Sequence, residues 1–204
     1  MLDNIKNIFD GRKPEIIGSY RKNAVMILLS EEDSEACIVF EERAHTLRNQ
    51  PGDVCLPGGR VEEGETPKKT AIRETLEELR LKEEDISLIG DMDYFVSPYG
   101  SIMYVFVAEL NKSFNKILPS TEEVHRLFKV PLKYFLENEP LTYKMEIGPH
   151  LKEDFPYHLV KGGKDYKFSR GFLDQYFYVY EENIIWGFTA MIVKSFIDII
   201  KQDI

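Results

Sequence analysis

The sequence predicts an α/β protein, a mixed β-sheet packed between helices, formed by a single domain over residues 1–204. Three observations predict it. Apolar runs of strand length lie on both sides of a capped helix at 67–80. A second amphipathic helix, at 183–201, closes the chain. No internal repeat, low-complexity segment or long linker divides the 204 residues, which suffice for one substantial core.

The elements follow in order. Residues 1–9 mix polar and apolar side chains as a short amphipathic helix stopped at Asp10-Gly11, without a signal-peptide profile. Residues 24–29 and 36–41 are strands joined by a polar turn at 30–35. Val54-Cys55-Leu56 reads as a strand end, and Pro57-Gly58-Gly59 as a tight turn. Thr66 is placed as an N-cap with Pro67 at the first helical position. Residues 86–96 and 102–110 form a strand pair around Ser97-Pro98-Tyr99-Gly100. A short helix at 132–137 follows Val130-Pro131, and 142–147, 157–160 and 177–180 are further strands. The last helix presents Ile184, Ile185, Phe188, Met191, Ile192 and Phe196 as a core face. Tyr176, Tyr178 and Tyr180 alternate as on one face of a strand, and Trp186 is expected to pack in a core rather than stack on a base.

Composition narrows the function classes. The formal net charge is −9 and the isoelectric point about 5.1, which disfavours a broad nucleic-acid or anionic-membrane surface. No apolar run approaches the ~18 residues of a membrane span. Cys37 and Cys55 each sit in an apolar run. Two thiols without a secretory signal point to buried small residues in a reducing, cytoplasmic compartment. Residues 201–204 do not form a peroxisomal tripeptide.

The most informative segment is the helix at 67–80. Glu74, Glu77 and Glu78 fall on one arc of roughly 100°, with Arg73 just beyond its edge. Three carboxylates at this spacing repel one another unless a cation sits among them. Glutamate-rich helical faces are ordinarily just solvated. Here, however, a strand, a glycine turn and a capped helix follow in order, which can gather carboxylates and backbone carbonyls at one place.

The segment from Gly59 to Leu81 resembles the Nudix box, G-x5-E-x7-R-E-U-x-E-E-x-G-U with U aliphatic. Gly59, Glu65, Arg73, Glu74, Glu77, Glu78 and Leu81 match in register; Thr75 stands in for the first aliphatic residue, and Arg80 replaces the last glycine. That glycine is expected to end the helix in a left-handed conformation. Arg80 either bears the strain or lets the helix run a residue longer. The resemblance implies an α/β/α sandwich and metal-dependent cleavage of a nucleoside diphosphate linked to another group.

A further stretch narrows that group. Arg43, Leu47, Arg48, Gly52, Val54, Pro57, Gly58 and Gly59 are similar to the R-S-x-x-L-R-x-x-x-G-Q-V-x-F-P-G-G pattern of the coenzyme A diphosphatase branch; Ala44, Asp53 and Leu56 depart from it. Glu123-Val124 with Phe128-Lys129-Val130-Pro131-Leu132, and Ile185-Trp186-Gly187-Phe188-Thr189-Ala190, resemble later segments of that branch. A guanidinium can fork onto a phosphate, so Arg43 and Arg48 are the expected substrate-binding cations, against surface ion pairing. Lys161, Lys164, Lys167 and Arg170 form a second basic stretch around Gly162-Gly163, read as a loop.

The resemblance implies these roles. Glu74, Glu77 and Glu78 hold Mg2+ or Mn2+, with Glu74 and Glu78 direct ligands and a Gly58 or Gly59 carbonyl adding an oxygen. Glu77 can instead hold Arg73. Glu65 braces the loop against an arginine. The general base is a box glutamate or a distant one, for which Glu123, ahead of Glu122, is the candidate. His125 is read as surface, and His45, His150 and His158 lack metal-ligand spacing with one another. The expected partner is a small molecule, coenzyme A or another nucleoside diphosphate conjugate, with no nucleic acid and no membrane; a homodimer is compatible with the sequence. The alternatives are a diphosphatase for ADP-ribose, dinucleotides or nucleotide sugars, and a non-catalytic nucleotide-sensing module.

Overall fold

The computed structural model describes residues 1–32 and 34–203. Its elements run α1 (Leu2–Phe9), β1 (Arg21–Glu32), β2 (Glu35–Arg43), β3 (Val54–Cys55), β4 (Gly58–Arg60) and α2 (Pro67–Leu79). Then come β5 (Ile86–Asp91), β6 (Phe95–Ser97), β7 (Ser101–Leu110), β8 (Val124–Pro131), α3 (Leu132–Glu137) and β9 (Leu141–Ile147). The chain ends in β10 (Gly171–Tyr180), β11 (Asn183–Trp186) and α4 (Gly187–Asp203).

Eight strands form the main sheet, in the path β3-β2-β1-β7-β5, with β4 on β1, β6 on β7 and β8 on β2. The β1–β7 pair is parallel and the others antiparallel, so the sheet is mixed as expected. Strand alternation divides the core in two. Ala24, Met26, Leu28 and Val39 point to one face and bury Ala71 and Leu79 of α2. Ile27, Ile38 and Phe40 point to the other and bury Phe135 of α3 with Val193, Phe196 and Ile197 of α4. The sheet thus lies between helices. A second sheet, β11-β10-β9, packs beside α4.

Several expectations change. Gly58 and Gly59 are not a free turn: they form β4 and pair with Val25 and Ala24. Residues 86–96 split into β5 and β6, both on β7. Residues 157–160 are not a strand; Tyr157–Leu159 is a single 3-10 turn. The last helix starts at Gly187, because Asn183–Trp186 pairs with 177–180 as a hairpin strand with Ile185 buried and Ile184 exposed. Apolar spacing at 183–186 fits either element, and the partner strand decides. Trp186 is therefore not a core residue: it is 43% exposed and stacks on Phe177 at 6.0 Å. The 30–35 turn shortens, with β1 continuing to Glu32 and β2 starting at Glu35; Asp33 lies outside the described residues. None of the residues of α1 is buried. No described helix is long and apolar enough to cross a membrane.

Candidate active site

The site is built where α2 crosses β1 and β4. Thr66 caps α2, its hydroxyl accepting from the Lys69 N–H at 3.4 Å, with Pro67 behind it. Thr75, in place of an aliphatic residue, is fully buried and donates to the Ala71 carbonyl at 2.7 Å, so its hydroxyl is satisfied within the helix. The helix ends at Arg80, which takes the left-handed conformation (φ 49°, ψ 46°) itself. Of the two outcomes open in the sequence, Arg80 bears the strain and the helix does not lengthen.

Glycine is required at 58 for steric reasons: φ is +151°, and a Cβ would fall 2.6 Å from Val25 Cα. At Gly59 a Cβ would fall 2.5 Å from Glu74 Oε1. The two glycines thus let a strand edge lie against the acidic face of α2. The Gly58 N–H donates to Glu78 Oε2 at 2.9 Å.

The three box acids separate by environment. Glu78 is buried, and its burial, with the charges of Glu41, Glu74 and Glu123 adding and the Gly58 hydrogen bond opposing, pushes its pKa up to about 9. Glu74 is half-buried and also raised, by burial first, against the nearby Arg73 guanidinium. The Glu77 side chain is 59% exposed and pairs with Arg73 Nη1 at 3.1 Å. Arg73 sits among the acids: it also pairs with Glu74 at 2.9 Å and holds both oxygens of Glu65, at 3.1 and 3.0 Å. The Thr70 hydroxyl donates to Glu65 at 2.6 Å. Arg73 and Thr70 together hold the Glu65 carboxyl down at about 2.

One member of the cluster escaped the sequence reading. Glu41, at the end of an apolar run in β2, is fully buried. Cys55 donates its thiol to Glu41 Oε1 at 3.1 Å, while Oε2 is buried with no partner among the described residues. Burial raises Glu41 to about 7, with Glu123 and Glu74 adding and Cys55 and Arg43 opposing. Burial beside Glu41 pushes the Cys55 thiol far up, so it stays protonated and inert. Glu41 follows the α2-facing Val39 at strand spacing, and this is the only sequence signal that could have found it.

Glu123 is exposed in the turn just before β8 and joins the site through backbone. The Ala44 N–H donates to its carbonyl at 2.8 Å, and Ser120, three residues before it, donates to the Glu78 carbonyl at 2.7 Å. Arg43 lines a cavity of about 460 Å³ with Val25, Leu56, Tyr99, Met103 and Phe188, and Cys55, whose thiol bonds Glu41, is part of the same wall. Arg48 is exposed on the turn after β2 and does not line it. Of the basic stretch, Arg170 pairs with Glu146 at 2.8 Å, and Lys164, Lys167 and Arg170 border a separate cavity.

The cluster fits a cation. Three carboxylates crowded below the surface, two of them strongly raised, and a buried oxygen without a partner are what a hard divalent ion would relieve. Its all-oxygen donor set suits magnesium or manganese. Residues 20–146 match the family described as the NUDIX domain. The chain belongs to the Nudix family.

Other Nudix proteins align with it to different extents. It is 37% identical over 118 residues to the peroxisomal coenzyme A diphosphatase ndx-8 of Caenorhabditis elegans, covering 56% of this chain and 50% of that protein. It is 29% identical over 141 residues to the peroxisomal coenzyme A diphosphatase NUDT7 of Mus musculus, covering 69% and 58%. The chain thus spans about half the length of these relatives. Nudix hydrolase 3 of C. elegans is 22% identical across 100% of this chain and 84% of its own. A crystal structure of a MutT/nudix family protein from Enterococcus faecalis superposes over 98% of this chain and 70% of its own with a TM-score of 0.52 at 13% identity, a likeness of fold alone.

A second donor group lies elsewhere. Ligand atoms of Glu42, His45 and His125 lie within 4.8 Å of one another, a grouping able to hold a metal ion. His125 is exposed, as expected; what the sequence did not show is that the pairing of β2 with β8 brings it to His45, with ring centroids 4.5 Å apart, although 80 positions separate them in sequence.

Proposed function

We propose that this Nudix chain hydrolyses the diphosphate of coenzyme A, or of its thioesters, to 3′,5′-ADP and a 4′-phosphopantetheine moiety. The observation that carries the proposal is the Arg43 cavity: about 460 Å³, mostly apolar along Val25, Leu56, Met103, Phe188 and Ile192, with Gln50, Asp53, Gln175 and Thr189 as polar points, and bordered by Cys55, whose thiol bonds Glu41. A diphosphate held at the acids leaves one arm of its substrate in such a cavity. Pantetheine, flexible and largely apolar with spaced amides, suits this wall better than a sugar does. The two coenzyme A diphosphatases among the relatives support the same substrate class.

Hydrolysis of a phosphoanhydride asks for orientation, charge neutralisation and an in-line water. Glu74 and Glu78, with the Gly59 carbonyl, are the proposed ligands of Mg2+ or Mn2+, which when bound supplies positive charge to the diphosphate oxygens. Glu77, exposed on Arg73, takes a supporting place beside them. Arg73 fixes Glu74 from one side while Glu65 anchors Arg73 from the other. Arg43 forks onto a phosphate beside the cavity that it lines, whereas Arg48, exposed and outside that lining, is left without a substrate-binding role. Glu123 is the proposed general base, placed on a solvent-accessible loop edge where it can take a proton from water.

Purified protein incubated with Mg2+ or Mn2+ and coenzyme A, ADP-ribose, NADH or a diadenosine polyphosphate tests this, with products identified by mass. Coenzyme A should be preferred and give 3′,5′-ADP. Preference for ADP-ribose overturns the substrate assignment, and no turnover of any substrate points to a nucleotide-sensing module. Glu78→Gln should lose most turnover while staying folded.

A further inference from the structure

Glu41 and Glu42 are neighbours on β2 and serve opposite faces of the sheet. Glu41 faces α2 and the acids. Glu42 faces the second sheet, where it borders a cavity with Arg126, Phe177 and Trp186. On that side Glu42 meets two imidazoles. His45 Nε2 lies 3.3 Å from Glu42 Oε1, and the His125 ring lies edge-on to His45. We infer that Glu42, His45 and His125 form a second metal site, distinct from the acidic helix, selective for an imidazole-preferring divalent ion of the zinc class.

The geometry is partly assembled. Arg126 Nε holds Glu42 Oε2 at 2.7 Å and is itself held by Asn183 Oδ1 at 2.6 Å. This fixes the carboxylate and leaves Oε1 on the side of the histidines. Gly52, at φ +75°, opens the space for the His45 ring: a Cβ there would lie 3.0 Å from both Cε1 and Nδ1. The Ala44 N–H to Glu123 carbonyl bond clamps together the two backbone segments that carry the histidines. Tetrahedral bonds of about 2.0–2.1 Å to nitrogen and oxygen place ligand atoms roughly 3.4 Å apart. The donors lie within 4.8 Å, so rotation of the two exposed imidazoles closes the site without moving the sheet.

The donor set decides the ion. Two neutral imidazoles and one carboxylate oxygen favour zinc, cobalt, nickel or copper over magnesium, which takes oxygen ligands and keeps its waters. Three protein ligands leave one position for water. A bound ion would staple the turn after β2 to the start of β8, next to the turn that carries Glu123. This site does not depend on which substrate the acidic helix serves.

The full chain, stripped of metal and held in excess Mg2+, is titrated with Co2+, whose visible absorption intensifies in four-coordinate sites. The expected result is one equivalent of Co2+ with such bands, displaced by Zn2+. His45→Ala and His125→Ala should each weaken Co2+ binding by more than about tenfold, while Glu78→Gln leaves it unchanged. Zn2+ should also raise Tm of the wild type but not of the two histidine variants. Wild-type Co2+ binding in both histidine variants, or its loss in Glu78→Gln, overturns the proposal.

Discussion

The Glu74 carboxylate occupies the space in which a side chain at Gly59 would begin, with Oε1 2.5 Å from where the Cβ would lie. A methyl group there cannot be absorbed by the strand, because Gly59 is paired with Ala24 of β1. Glu74 must therefore swing away, taking its bond to Arg73 with it. Gly59→Ala is expected to lower kcat/KM by about 10²-fold, the scale of an ångström-level misplacement. Because the displaced atoms are the end of a flexible side chain, stability should fall by only about 0–1 kcal/mol, the scale of the lost Glu74–Arg73 pair. Steady-state kinetics and a denaturant titration on the same variant check both. Wild-type kinetics would show that the position of Glu74 is immaterial.

Glu41 and Glu78 make the metal-free protein sensitive to base. Their folded pKa values, about 7 and about 9, lie above the ordinary 4.5. Between those values the folded state binds more protons than the unfolded chain, so stability falls as pH rises from about 4.5 toward 9. A cation must displace the same protons, so Mg2+ affinity should rise with pH over that window. Denaturation in a chelator from pH 5 to 9 should show the decline, and Mg2+ should reverse it at the alkaline end. Glu41→Gln and Glu78→Gln should each flatten the profile and weaken the response to Mg2+. A wild-type profile that rises across the window would contradict the burial of both groups.

The acidic helix was legible because its information is local. Capping by Thr66, the i, i+3, i+4 spacing of Glu74, Glu77 and Glu78, and the salt link from Glu65 to Arg73 all lie within one short stretch. What the sequence hid depends on strand pairing. Glu41 looks like the polar end of a strand, yet β8 pairs alongside β2 beyond it and the Cys55 segment covers it. His45 and His125 meet through the same β2–β8 pairing. Asn183–Trp186 carries a pattern that suits a helix start, and only its partner β10 makes it a strand.

The Glu65–Arg73 pair should set the acid limit of the fold. Arg73 and Thr70 hold the Glu65 carboxyl at about 2, below its ordinary 4.5. A depressed folded pKa stabilises the protein fully above the unfolded value, and that contribution is lost as pH falls from about 4.5 to about 2. Glu65→Gln should therefore be less stable than the wild type at pH 6, with the gap closing toward pH 2. Tm measured down that range checks the convergence. A gap of constant size would mean that the contribution of Glu65 is steric rather than ionic.

Arg80 closes α2 in the left-handed region, at φ 49°, with its N–H reaching the Glu77 and Leu76 carbonyls and the Leu81 N–H bonding Leu76 at 2.9 Å. A residue with a Cβ carries roughly 1–2 kcal/mol of strain in that conformation. Glycine removes the strain but gives back about 0.5–1 kcal/mol through the freedom of its unfolded backbone. The arginine side chain is exposed and offers no buried contact to lose. Arg80→Gly is therefore expected to stabilise the protein by up to about 1 kcal/mol, a rise in Tm of about 2–4 °C for a chain of this size. Glu78 lies two residues upstream and its carbonyl anchors Ser120, so the cap is tied to the loop of Glu123. Unchanged Tm would show that the left-handed cap carries no strain.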